Sequence, residues 1–343
     1  MNKDRIYHAD VVRIVACLMV VLMHSPMPGP KLIPIFTSGL TYFTMPCIGL
    51  FLTLSGYLLL PVKSNPSESF QFALGRVKKF LLSLIIWSLI YMTVNGTFVS
   101  GDIKQILHSL CSMLFSPQEG VRWYMYVLVG LYFVAPVISP WLQQTNKKTL
   151  QKYLMIWGIS LLVPFLMPFI SFRIGEANIL YYFSGYLGYF LLGYYLKVYD
   201  IKIKPFNAIL GIVCLMALYA GYQLYLADKQ LNFGEVFWYL SIDSPILVVL
   251  WWNVLRTIAD WVKNSKSWIQ RRVVHLSNIS FGVYMVHILI MRYGLWKTEF
   301  IQNIDNYIVQ TIVVFLITII GTNLIVDLFS ISPIGKYIVA YKK

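Results

Sequence analysis

Apolar positions in this chain come in long runs rather than in alternation. Stretches of about 20 predominantly hydrophobic residues recur from one end to the other, with short polar connections between them. A run of that length crosses a hydrocarbon core of ~30 Å at the rise of an α-helix. Ten such segments are predicted, near 11–30, 37–60, 74–95, 122–141, 152–171, 178–196, 206–226, 235–255, 276–295 and 306–329. Helix is the only choice open to them, because lipid offers backbone groups no hydrogen-bond partner. Residues 102–115 form a shorter, mixed segment, read as an interfacial helix. There is no internal repeat and no low-complexity tract. The expected fold is an all-α polytopic membrane protein of about ten transmembrane helices, one domain over residues 1–343.

Composition sharpens this picture. Hydrophobic residues make up 58% of the chain and charged residues 12%, against roughly 25% charged in an ordinary soluble domain. No polar block is large enough for a separate soluble catalytic domain, so any chemistry belongs inside the helix bundle. With the N-terminus placed inside, 20 of the 28 Lys and Arg residues fall in inner loops and 7 in outer ones, Arg13 lying within the first span. That bias puts both termini in the cytoplasm. The net charge of +14 is then a topology signal, and no nucleic-acid partner is needed to explain it. The first apolar stretch is too long for a signal peptide, carries Arg13 and lacks a small-residue cleavage pattern, so it is read as a retained helix. Cys17, Cys47, Cys111 and Cys214 show neither a CxxC pair nor a histidine at metal spacing. Neither a metal nor a required disulfide is expected.

Ionisable groups inside spans are expensive and usually face a cavity or the bundle interior. Here they are Arg13, His24, Asp243, His287 and, near an inner end, Asp327. Arg13 and His24 are 11 residues apart. At about 100° per residue this comes within ~20° of three full turns, so both project from one helix face, ~16 Å apart along the axis. Taking the inner boundary near Val11 puts Arg13 at the cytoplasmic mouth and His24 past the midplane. Arg13 can hold an anion through a fixed fork of donors. His24 is an imidazole able to exchange protons near neutral pH, as a general base must. Asp10 precedes Arg13 by three residues and can pair with it on the same face.

These residues carry a resemblance. The stretch from Asp10 to His24, DVVRIVACLMVVLMH, resembles the first helix of the acyltransferase-3 membrane proteins with its Arg-x10-His signature. FLTLSGYL at Phe51–Leu58 resembles the Phe-x3-Ser-Gly-Tyr-Leu of that family's second helix. Gly75, Arg76, Lys78 and Lys79, followed by Ile86, Trp87 and Ser88, are similar to the basic start of its third. Trp123 to Tyr132 with Pro136 resembles the fourth, and Ile279 to His287 the late Tyr-x2-His helix. The short form, with no appended soluble domain, is most similar to the enterobacterial-common-antigen O-acetyltransferase type.

The resemblance implies a membrane-embedded O-acyltransferase of a bacterial inner membrane. It would take acetyl-CoA or another acyl-CoA from the cytoplasm and acylate a hydroxyl on an envelope glycan or lipid-linked sugar. It implies His24 as the catalytic base and Arg13 as essential to the donor site. Arg76, Lys78 and Lys79 would attract the CoA phosphates. That start is richer in lysine than is usual in the family, which favours point-charge attraction over bidentate contacts. Trp123, Asp243 and His287 are candidates for substrate contact. Each also has a plainer reading: Trp123 as an interfacial aromatic, Asp243 as a cap of a broken helix, His287 as a packing residue bonded to a neighbouring helix. Ser55 and Gly56 read as a close-approach point between helices. The rival to an enzyme is a transporter or flippase for an anionic or acylated metabolite, which would also use intramembrane Arg, Asp and His. A sensor domain without chemistry is a third reading, against which the intact Arg13 and His24 count. The chain lacks the two-halves repeat common in secondary transporters.

Overall fold

The computed structural model describes residues 5–62, 68–99, 102–117, 120–166, 180, 183–227 and 238–339. Among these the chain is helical, with no strand. In chain order the helices are α1 (Tyr7–His24), α2 (Pro34–Thr44), α3 (Pro46–Leu59), α4 (Ser69–Val94) and α5 (Ile103–Ser112). There follow α6 (Trp123–Gln144), α7 (Lys147–Leu166), α8 (Leu187–Tyr199) and α9 (Pro205–Ala227). The last four are α10 (Asp243–Lys263), α11 (Ser267–Ile288), α12 (Tyr307–Ile331) and α13 (Pro333–Ile338). The protein is an all-α, polytopic membrane protein.

Eight helical stretches among the described residues are long and apolar enough to cross a membrane, against ten predicted. The predicted spans at 152–171 and 178–196 account for the difference. Helix α7 begins with Lys147, Lys148 and Lys152, and α8 has 13 residues. Residues 167–179, on which parts of both spans fall, lie outside the described residues.

Two predicted spans have different ends in the structure. The first span runs from Tyr7 to His24 rather than over 11–30. The apolar pattern continues to Met27, but Pro26, Pro28 and Pro30 cannot extend a helix. Arg13 is therefore about two turns inside the helix, and His24 is its last residue. The second predicted span, 37–60, is present as one apolar stretch, Pro34–Leu59, in which only Met45 separates α2 from α3, whose first residue is Pro46. The span expected at 235–255 starts at Asp243 and runs on to Lys263, so Asp243 opens its helix instead of sitting within it. The expected interfacial segment is the short helix α5, which buries no residue and is capped by the Asp102 carboxylate on the Lys104 and Gln105 amides.

The chain divides into two compact units. The first comprises Met1–Met23, Ile33–Pro61 and Pro140–Ser277. In it α3 and α8 approach closely enough for backbone to face backbone. A Cβ on Gly56 would stand 1.9 Å from the Phe190 carbonyl oxygen, and one on Gly193 would stand 2.0 Å from that of Thr53. The close approach expected at Gly56 is thus present, and Gly193 reciprocates it from the partner helix. Small residues at such a crossing let helices gain van der Waals contact where lipid supplies no hydrophobic drive. Beside this pair, Tyr42 stacks on Tyr219 at 4.1 Å between ring centroids. The Tyr189 hydroxyl lies within hydrogen-bonding distance of the Tyr239 carbonyl (2.5 Å) and Ser244 Oγ (2.7 Å).

The second unit comprises His24–Leu32, Val62–Ser139 and Asn278–Lys343. Its helices are tied by side chains donating to backbone carbonyls. Ser83 Oγ and Trp87 Nε1 both donate to the Ile338 carbonyl at 3.0 Å. The Tyr91 hydroxyl donates to Met285 at 2.9 Å, and that of Tyr284 to Val121 at 2.5 Å. These bonds fix α4, α13, the turn just before α6 and the C-terminal half of α11 to one another. After Ile288, α11 gives way to a π-helical turn, Leu289–Gly294.

Candidate active site

The N-terminal part of α1 carries a charged cluster in the first unit. The Asp10 carboxylate is buried, at 2% exposure. It accepts from Arg5 through Nε at 2.8 Å and Nη2 at 3.0 Å, a two-pronged pair. Ser277 Oγ donates to its Oδ1 at 2.7 Å. Arg13 Nη1 lies 3.8 Å from the same oxygen and donates to Ser277 Oγ at 3.4 Å. Two guanidinium groups thus share one carboxylate, which leaves these three side chains with one net positive charge. The Arg13 side chain is about one-third exposed (32%), so this cluster orients the guanidinium without sealing it in. His8, earlier in the same helix, packs edge-on against the Trp252 ring beside Tyr57, with Nε2 3.2 Å from the Trp252 carbonyl.

The C-terminal end of α1, at His24, belongs to the second unit and carries the other predicted site residue. His24 ends the helix, half-buried. Its ring centroid is 5.5 Å from that of His287 on α11. His287 is fully buried, and its Nδ1 lies 2.7 Å from the Tyr284 carbonyl. The two histidines singled out from the sequence are therefore neighbours in one site.

The remaining candidates are dispersed. Arg76 and Lys78 are exposed near the start of α4, the Arg76 guanidinium standing 5.4 Å above the Phe72 ring. Lys79 lies in the same helix, and its side chain is outside the described residues. Trp123 is the first residue of α6 and half-buried. Asp243 is buried in the first unit; its Oδ1 accepts from Ser241 Oγ at 2.5 Å, and the Tyr42 hydroxyl also bonds to the carboxylate. Asp327 is half-buried near the end of α12. Among the described residues no group of three or more His, Cys, Asp or Glu side chains is arranged to hold a metal ion.

Three residues outside the predicted set matter here. The sequence marks Arg5 only as an inner-loop charge and gives Ser277 no distinction, yet both bind the carboxylate that orients Arg13. It marks Arg122 only as an outer-loop charge. That residue is 1% exposed, donates from Nη1 to Ser88 Oγ at 3.1 Å and stands 4.8 Å from the Tyr91 ring centroid. Its one sequence signal is its place directly before Trp123 at the start of a span.

The chain belongs to the acyltransferase-3 family, whose acyltransferase-domain model matches residues 6–327, almost the whole chain. It is a multi-pass membrane acyltransferase. No curated protein and no solved structure matches it.

Proposed function

We propose that the protein is an O-acyltransferase, acetyl-CoA being the donor favoured, that esterifies a hydroxyl on an envelope glycan or lipid-linked sugar at a bacterial inner membrane. The observation that supports this reading most is the disposition of Arg13 and His24 on one face of a single helix, α1. Their axial separation of ~16 Å suits an extended donor, with an anionic head at one end and a thin arm leading to the thioester.

Arg13, held by Asp10 and Ser277, binds the anionic part of the donor. Arg76, Lys78 and Lys79 add positive charge for the CoA phosphates. His24 accepts the proton of the acceptor hydroxyl as its oxygen attacks the thioester carbonyl carbon. The C–S bond then breaks, and the CoA thiolate takes that proton from the His24 imidazolium. An ester and free CoA leave, and His24 is neutral again. A positioned base of this kind contributes ~10²–10⁴-fold, so fixing the two reactants side by side must supply much of the remainder. Trp123 is a candidate stacking surface for the sugar. Asp243, already bonded to Ser241 and Tyr42, would serve by shaping the first unit unless one of those bonds opens.

The test is transfer of radiolabelled acetyl from acetyl-CoA to a membrane glycan fraction by the purified full-length protein, with release of the label by mild alkali as the mark of an ester. Wild type is expected to transfer and His24→Ala is not. Alkali-labile glycan label formed equally by both would overturn the role given to His24.

A further inference from the structure

A buried histidine has two ring nitrogens to satisfy, and His287 satisfies one. Its Nδ1 lies 2.7 Å from the Tyr284 carbonyl oxygen. A carbonyl only accepts, so Nδ1 carries the ring proton and donates it. Nε2 is then a bare lone pair. It has no hydrogen-bond partner among the described residues, although the residue is 0% exposed. An unused buried acceptor lowers stability relative to an apolar side chain of similar shape. Packing alone therefore does not account for a histidine here.

The surroundings show what the lone pair is for. Nδ1 turns back to its own helix, so Nε2, at the far edge of the ring, points away from it. The neighbouring imidazole is His24, at 5.5 Å between centroids with the planes inclined by 52°. Two imidazoles joined by one N–H···N bond have centroids roughly 5 Å apart, the ~2.9 Å bond plus the two ring radii. A shift of roughly half an ångström closes the pair, and catalytic hydrogen bonds commonly tighten in this way when substrate binds. The backbone is also specialised at this point, since the π-helical turn Leu289–Gly294 begins two residues after His287. Single π turns within α-helices are frequent at functional sites.

We propose that His287 is a positioning residue that acts through His24. Its Nε2 accepts an N–H from one His24 nitrogen and thereby turns the lone pair of the other towards the acceptor hydroxyl. This rests on the acyl-transfer reading given above. During the reaction the hydroxyl proton moves to His24 and then to the CoA sulfur, while His287 neither gains nor loses a proton. Its bond to the His24 ring selects the reactive tautomer and steadies the imidazolium between the two transfers.

The experiment uses full-length protein with 15N-labelled histidine, as wild type, His287→Gln and His287→Leu, each checked by its elution profile. Gln offers an acceptor oxygen where Nε2 stood; Leu offers none. Ring-nitrogen NMR signals of His24, assigned by their loss in His24→Ala, are expected to shift in His287→Leu and to stay close to wild type in His287→Gln. Acetyl transfer is expected to fall ~10²-fold in kcat for the Leu variant with KM for acetyl-CoA unchanged, and much less for Gln. Unchanged His24 signals in His287→Leu, in protein that still binds acetyl-CoA, would overturn the proposal while leaving the enzyme reading in place. So would equal loss in the Leu and Gln variants with a raised KM, the pattern of a purely structural residue. Wild type that binds no acetyl-CoA would overturn both, through the enzyme reading.

Discussion

Asp10 stands 3.8 Å from Arg13 and grips Arg5 more tightly, at 2.8 Å. The carboxylate that orients the Arg13 guanidinium is itself anchored by a second arginine and by Ser277. Orientation and charge therefore separate. The three side chains keep one surplus positive charge, while Asp10 holds Arg13 in direction.

Asp10→Asn is the variant that addresses this arrangement. The amide keeps one acceptor but loses the charge-assisted pair with Arg5. A stability loss of about 1–3 kcal/mol is expected, together with severalfold weaker acetyl-CoA binding. Thermal unfolding and equilibrium binding on the same sample measure the two effects. Lower stability with unchanged affinity would make Asp10 a folding residue only.

Gly56 and Gly193 set the distance between α3 and α8. Gly56→Ala places a methyl group 1.9 Å from the Phe190 carbonyl oxygen, where backbone rather than a side-chain tip must move. The loss is expected to exceed the ~1–3 kcal/mol of ordinary overpacking and to appear as aggregated protein on elution. A Cβ on Gly221, well inside α9, would meet nothing within 4 Å among the described residues. Gly221→Ala is expected to leave the elution profile intact and stability within about 1 kcal/mol of wild type. Equal behaviour of the two variants would count against backbone contact at the α3–α8 crossing.

Arg76 is exposed, so its loss should not disturb folding. Arg76→Gln is expected to weaken acetyl-CoA binding a fewfold with no change in melting temperature. The difference from wild type should shrink as salt is raised, because interactions between exposed charges are screened. An affinity equal to wild type at low salt would assign Arg76 to membrane topology alone.

Much of this architecture is legible in the sequence, because lipid imposes one rule on every span. Runs of apolar residues must be helices, and the 11-residue step from Arg13 to His24 places both on one face whatever surrounds them. Helix ends are less legible. Hydropathy carries the first span beyond His24, where the three prolines within Pro26–Pro30 end it, and starts the span predicted at 235–255 ahead of Asp243, the first residue of its helix. Partnerships across the fold are not legible. A charge count treats Arg5 and Arg122 alike as loop residues, yet one binds Asp10 and the other is buried against Ser88 and Tyr91. The meeting of His24 with His287 depends on how α11 packs, which no local pattern encodes.

In the proposed mechanism α1 holds a donor station at Arg13 and a chemical station at His24. Equilibrium binding of acetyl-CoA to purified wild type, Arg13→Ala and His24→Ala tests this most directly, with folding of each verified by elution. Wild type and His24→Ala are expected to bind alike, and Arg13→Ala at least tenfold more weakly, a loss of about 1.4 kcal/mol or more. Well-folded wild type that binds no acyl-CoA would contradict the mechanism and make transport of an anionic metabolite the leading explanation of the buried charges.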